Sequence, residues 1–534
     1  MNAVDIFRIG TATDRGLSAP SAEVIGGKAQ GLMRMACIGL PVPPAVVIGT
    51  RWCAPVLQCG GLPEALRNAL PDALAWLQQR TRRAFGDPRR PLLVSVRSGA
   101  AFSMPGMMRT LLNVGLTDLT LPGLVRLSGN PRLAWDSYRR LVASYGEVVA
   151  GVPADEFEAE NESLHISDLR QLDFAQLRNL TRRLLDVYRA AAGEPFPQEP
   201  REQLERAIYA VFASWRAPQA VDYRKVHGIS EEAGTAVTLQ ASVFGNASGL
   251  SGAGVGFTRD PILGGAEPVI DFRFNAQGED VVAGRLSTHG TLDLAEALPE
   301  VWRQLRDSAV RLEREFSDMQ DFEFTVEDRQ LYLLQSRPGK RSSLAGARIA
   351  LDLCDEGVIS RSEALRRLDA IEESALAITR VVADDGDELV PLATAASANT
   401  GVACGEIVFD EYRARQRSGT GAPVILVRRQ AETADLAALT LASGLLTELG
   451  ARTSHAAVVA RHLGKVCLVG CRDLHIDRDR RAVRIGAMEL PEGAVLTLDG
   501  NEGRVYAGKV RTVVERPKDL LNRISRLRNI ASAN

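Results

Sequence analysis

Residues 321–337 read DFEFTVEDRQLYLLQSR. Period-two alternation puts Asp321, Glu323 and Thr325 on one face of a strand and Phe322, Phe324 and Val326 on the other. In the return strand Gln335 and Arg337 share a face, and a turn centred on Arg329 sets Glu323 opposite Gln335 and Asp321 opposite Arg337. Two carboxylates, an amide oxygen and a guanidinium then converge on one side of a hairpin. Hard oxygen donors of this kind suit Mg²⁺ bridging substrate phosphates, and Arg337 suits an oxyanion. An exposed face carrying cross-strand ion pairs gives the same pattern, so the alternation alone leaves both readings standing.

Upstream of the hairpin, TAVTLQASVFG (235–245), GVGFT (254–258) and PVIDFRF (268–274) read as strands, ending a β-rich block near Arg341. From Asn130 to about Gln219 apolar residues recur at three and four, as in Leu177, Leu180, Leu184, Leu185 and Tyr188, which predicts helices broken at EPFPQEP and RAP. The first ninety or so residues hold the strand-like runs PPAVVIG and PLLVSVRS beside a helical stretch, an α/β unit. Downstream, residues 342–389 read as helices and the acidic connector VVADDGDEL, a hinge. Short strands from EIVF to RVYAG then alternate with the helix SHAAVVARHLG, a small α/β domain over 390–511. In the tail, residues 512–534, Leu520, Leu521, Ile524, Leu527 and Ile530 share a helical face. That face either packs on its own domain or docks a partner.

Length and composition narrow the function. At roughly 100–200 residues per domain, 534 residues predict several structural units. With 45% apolar and 24% charged residues the chain can bury large cores and has neither a disordered nor a membrane-type composition. Lys plus Arg number 64 against 66 acidic residues, so any anion site is local, with no general pull toward nucleic acid or a membrane. Seven cysteines without a C-x-x-C pair suit a reducing compartment, and a cytoplasmic protein is expected.

Other residues carry candidate chemistry. Lys28 follows Gly26 and Gly27 at a helix start, where N–H groups and an ammonium could meet a phosphate, although a surface lysine there is the commoner case and the spacing is not that of a Walker A loop. Alternation in PLLVSVRS aims Arg97 away from the core. The following GAAFSMPGMMR, with Ser103, Gly106 and Met107, has the composition of a loop whose backbone can approach an anion. Its methionines have little core to fill. The six histidines show no zinc spacing. His455 stands apart, following Thr453 and Ser454 at a helix start, where the positive helix end favours the neutral ring and stabilises an attached phosphate.

Taken together, GGKAQGLMRM, VSVRSGAAFSMPGMM, NPRLAWDSYRR, GEPFPQEPREQLERAIYAVFASW, FNAQGEDVVAG, DMQDFEFTVEDRQLYLLQSRPGKR and GARTSHAAVVARHLGK resemble the pyruvate, phosphate dikinase family over nearly the whole chain. The resemblance implies an α/β multidomain fold. An ATP-grasp-type nucleotide-binding domain would occupy 1–341 with a helical subdomain at about 120–220, joined by the 342–389 hinge to a swivelling phosphohistidine domain at 390–511. It implies that Lys28 and Arg97 hold ATP phosphates while the loop of Ser103, Gly106 and Met107 closes over them. Glu323 and Gln335 would bind ribose or Mg²⁺ with Asp321 beside them, Arg337 would orient a phosphoryl group, and His455 would be phosphorylated. Thr453 occupies the position phosphorylated for regulation in plant members. The chain stops where the family's (β/α)₈ acceptor barrel is expected to begin, so the resemblance points to ATP, inorganic phosphate and a separate acceptor-binding subunit as partners. A nucleotide-sensing relative without catalysis is the alternative. A stand-alone small-molecule phosphotransferase would need an acceptor-binding insert, and none is evident.

Overall fold

The computed structural model describes residues 5–10, 19–102, 104, 109–162, 169–278, 291–383, 389–431, 435–450, 452, 454–477 and 479–532. The chain gathers into two compact units, one of residues 1–249 with 332–336, the other of 250–331 with 337–534.

In the first unit, strands Ile6–Ile9, Ala45–Ile48, Ala236–Ala241, Val94–Gly99 and Thr110–Val114 form, in that order, an antiparallel sheet. Ala45–Ile48 and Ala236–Ala241 are buried along their whole length, which is why they read as unbroken apolar runs. The helical block follows the three-and-four periodicity. Asp173 and Gln176 close a capping box at the start of Phe174–Ala192, and Leu177, Leu180, Leu184 and Tyr188 point into the core against Pro131–Val148. Asn130 caps that second helix through Leu133 N at 3.1 Å, and Pro131 takes its first turn, where a missing N–H costs nothing.

In the second unit, Val269–Phe274, Gly252–Phe257 and Gln320–Glu327 pair antiparallel. Gly254 and Gly256 are there for space: a Cβ on either would stand 2.4–2.6 Å from the rings of Phe324 and Phe322, which cross the middle strand. Further along, an eight-stranded sheet has parallel strands Val402–Val408, Val424–Arg428, Gly444–Thr447 and Val466–Val469 at its centre. Separate apolar clusters cover its two faces, one under Leu446 and Leu468, the other under Leu445 and Cys467. Helices Ser343–Asp355 and Arg361–Asp369 precede it, and the chain enters and leaves through one two-stranded ribbon in which Ile378–Val381 pairs with Thr512–Glu515.

The C-terminal helix Lys518–Ser532 uses its apolar face within the chain. Leu520 and Ile524 are buried with Leu344, Ala347, Leu351 and Leu368 of the two connecting helices, and Arg523 pairs with Asp352 at 2.7 Å and Asp355 at 2.8 Å. Leu520 and Ile524 are therefore spent on packing, with Leu521 and Leu527 partly buried beside them, leaving no open face there for a partner. Ile524→Ala is expected to lower stability by about 2–4 kcal/mol, the usual cost of an aliphatic truncation with partial cavity collapse; urea unfolding followed by circular dichroism measures it.

Candidate phosphotransfer site

In the first unit the geometry is set by glycine. Gly26 has φ of 78° and ends the short helix Ala22–Ile25, and an added Cβ would lie 2.0 Å from Gly99 O. That contact joins the start of helix Gly27–Cys37 to the end of the strand carrying Arg97, reinforced by Gly27 N donating to Ala100 O at 2.9 Å. Lys28, exposed in the helix's first turn, is brought to the same edge as Arg97. In Val94–Gly99 Arg97 alone is not buried, and its Nε donates at 3.2 Å to Oγ of Ser95, two residues back on the same face. Two cations thus stand beside a helix N-terminus, whose dipole favours an anion. Gly26→Ala combines a backbone clash with a left-handed φ, strain on the order of 1–3 kcal/mol before the clash. It is expected to lower the melting temperature of the chain, read by thermal unfolding.

Ser103, Gly106 and Met107 lie outside the described residues, as does Met108. Met104 is described and differs from expectation: it is buried at 7% exposure in the main apolar core of the first unit. Met104 is therefore core filler after all.

The hairpin in the second unit carries the acidic cluster. Asp328 and Arg329 both have positive φ, 49° and 66°, so the turn occupies two residues, as a type I′ turn does, instead of centring on Arg329. Asp321 and Arg337 still meet, with Nε to Oδ2 at 2.9 Å. Asp321 is buried at 4% exposure, and its other oxygen, Oδ1, has no hydrogen-bond partner among the described residues. Burial pushes its carboxyl above the usual range, against the pull of Arg337. Register places Glu323 beside Val255, and Val255 beside Asp271, so Glu323 and Asp271 share a face with Asp321. Glu323 and Gln335 are each half-buried. Among the described residues no three His, Cys, Asp or Glu side chains form a metal cage. Two oxygen donors completed by phosphate oxygens is a set Mg²⁺ accepts, and these residue types fit it.

His455 is the first residue of helix His455–His462, which Ser454 caps by accepting from Ala457 N at 3.4 Å. The helix follows strand Gly444–Thr447 and leads into the parallel strand Val466–Val469, so its start lies at the carboxyl ends of the parallel strands, where open α/β sheets present their reactive groups. Thr453 lies outside the described residues.

Three residues escaped sequence reasoning. Asp271 and Asp260 help line a cavity of about 350 Å³ with Ser397, Thr400, Arg452 and Asn501. Arg461, six residues after His455, is buried at 3% exposure. Its Nε donates to Ala398 O at 3.0 Å, its Nη2 to Arg452 O at 3.1 Å, and its guanidinium lies 5.2 Å from the ring centre of Phe257. Burial pulls its pKa below the usual range, with Cys467, Asp321 and Asp260 acting against that. An arginine at that helical position reads as solvent-facing; only its partners, distant in sequence, reveal otherwise.

An acidic hairpin and a helix-start histidine on a separate parallel sheet mark a mixed α/β multidomain protein, and comparison with known proteins names its family. Residues 61–292 and 291–356 match the family described as pyruvate phosphate dikinase, AMP/ATP-binding domain, and 420–503 match PEP-utilising enzyme, mobile domain. The chain belongs to the pyruvate, phosphate dikinase family. It is 39% identical over 506 residues to pyruvate, phosphate dikinase of Clostridium symbiosum, covering 93% of this chain and 57% of that protein. It is 40% identical over 510 residues to pyruvate, phosphate dikinase 2 of Zea mays, covering 94% and 57%. The Rhizobium meliloti enzyme is 39% identical over 522 residues, covering 95% and 58%. The chain thus spans a little over half the length of these relatives, matching their N-terminal part. Among the described residues no helix is long and apolar enough to cross a membrane.

Proposed function

We propose that this chain carries the nucleotide and phosphohistidine half of a dikinase-type reaction. A ring nitrogen of His455 attacks the β-phosphorus of ATP, the bond from that phosphorus to the α-phosphate oxygen breaks, and AMP leaves with the β- and γ-phosphoryl groups remaining on the ring. The terminal phosphoryl group passes to inorganic phosphate, giving pyrophosphate, or to water. The phosphoryl group on His455 then passes to an acceptor, pyruvate or an alcohol or phenol, bound by a separate chain. The observation that carries this reading is the placement of His455 at a helix N-terminus on the carboxyl edge of parallel strands, within the stretch that matches the PEP-utilising family.

The remaining residues take roles from their chemistry. Lys28 and Arg97 neutralise phosphate oxygens, with Ser103, Gly106 and Met107 covering them. Arg337, held by Asp321, orients the transferring group. Glu323 and Gln335 are the oxygen donors for Mg²⁺, which when bound offsets negative charge on the phosphates. Thr453, two residues before the nucleophile, is a candidate modification site for regulation. The test is mass spectrometry of the chain incubated with Mg·ATP, with and without phosphate. An acid-labile gain of about 80 Da, one phosphoryl group, with stoichiometric AMP is expected. A chain that binds ATP and releases no AMP is instead a nucleotide sensor.

A further inference from the structure

The contacts around Arg461 go further than this reading requires, and the inference drawn from them rests on it. All lie in the second unit. Arg461 stands on the helix that begins with His455, and two of its nitrogens are committed to its own domain, on Ala398 O and on Arg452 O in the loop leading to His455. The guanidinium carbon lies over the ring of Phe257, 5.2 Å from its centre, and Phe257 is the residue paired with Asp321 in the sheet. Its third nitrogen, Nη1, is buried without a hydrogen-bond partner among the described residues, as is Oδ1 of Asp321. A buried cation with one idle donor is expensive unless an aromatic face and a nearby carboxylate compensate, and here both come from the sheet. The same side chain therefore senses two things, the conformation of the histidine loop and the presence of the nucleotide sheet.

We propose that Arg461 is a positioning residue that seats the histidine domain on the nucleotide sheet, its guanidinium tying the His455 loop through Arg452 O while lying over the ring of Phe257, the strand partner of Asp321. It touches no reacting atom. Its effect is to make correct loop geometry and correct seating one event, so that the nucleophile is presented only where the phosphates are. Lysine keeps the charge and loses the planar fork, which makes Arg461→Lys the informative change.

The experiment compares two phosphoryl donors on the full chain: Mg·ATP, which requires seating on the sheet, and phosphoramidate, a small donor that needs no nucleotide site. In Arg461→Lys the ratio of ATP-driven to phosphoramidate-driven labelling of His455 is expected to fall roughly tenfold, the scale of a desolvated cation–π contact. Phe257→Leu should lower the same ratio, and the double variant should be little worse than either single one. Equal loss with both donors means that Arg461 only folds its own domain and overturns the proposal, as does additivity of the two substitutions. Small-angle scattering gives a second, activity-independent readout: a larger radius of gyration for Arg461→Lys and Phe257→Leu supports seating, and unchanged scattering in both rejects it. Absence of ATP labelling in the unmutated chain defeats the proposed function, while the scattering comparison still decides the part played by Arg461.

Discussion

Replacing His455 by asparagine is expected to abolish the acid-labile phosphoryl adduct and to cut ATP-driven AMP formation on the order of 10⁴-fold or more, the scale of losing a nucleophile. Asparagine keeps a polar side chain of similar reach at the helix start, where it is well tolerated, but its amide nitrogen has no lone pair available for attack on phosphorus. The neighbouring hydroxyl gives no substitute, because Ser454 is buried and its oxygen accepts from Ala457 N as the helix cap. Acid stability separates the outcomes: a phosphoramidate bond to imidazole hydrolyses in acid, whereas a phosphoester on serine or threonine survives. A stable adduct of the same mass in the variant would move the nucleophile to a hydroxyl. Intact-mass measurement before and after brief acid treatment, with AMP followed by chromatography, makes the distinction.

Local periodicity made most of this molecule legible. The alternation in residues 321–337 located the strand, its apolar Phe322 and Phe324, and the meeting of Asp321 with Arg337. It misplaced the turn, because two left-handed residues at Asp328 and Arg329 look like ordinary polar sequence, neither being glycine or asparagine. Arg97 was legible for a similar reason: alternation in a strand fixes which side chains share a face. Met104 and the C-terminal helix were harder. Their partners, a distant core and the helices at 343–369, are not encoded in the local pattern, and an amphipathic face does not say what covers it. Arg461 lay furthest out of reach, since its burial depends on Ala398, Phe257 and Asp321, 63 to 204 residues away along the chain.

The largest expected loss of stability is at Arg259, just past the strand Gly252–Phe257. The guanidinium is 3% exposed and grips Glu313 with both Nε and Nη2, at 3.0 and 2.9 Å, while Nη2 also reaches Glu356 at 2.6 Å. Thr258 Oγ1 donates to the same Glu313 carboxylate at 2.7 Å. Glu356 closes the helix Ser343–Asp355, and Asp352 and Asp355 of that helix bind Arg523 of the C-terminal helix. One line of charge therefore fastens the end of the sheet that carries Asp321 to the base of the helices that lead to the eight-stranded sheet. Arg259→Ala strands Glu313 in a buried site and is expected to cost about 3–5 kcal/mol. The paired change Arg259→Met with Glu313→Leu should recover most of it, since two apolar side chains of similar volume leave no charge behind. The pH dependence follows with a definite sign. Burial already pushes the Glu313 carboxyl up against the pull of Arg259, and without the arginine it rises further. The folded state then holds a proton that the unfolded state releases near pH 4.3, so the variant's deficit is small below about that pH and grows as pH rises toward the elevated folded value. Urea unfolding at pH 4 and pH 7 measures both terms. An equal deficit at the two values would mean that Glu313 finds another partner when Arg259 is gone, and would loosen the link argued here between sheet and connector.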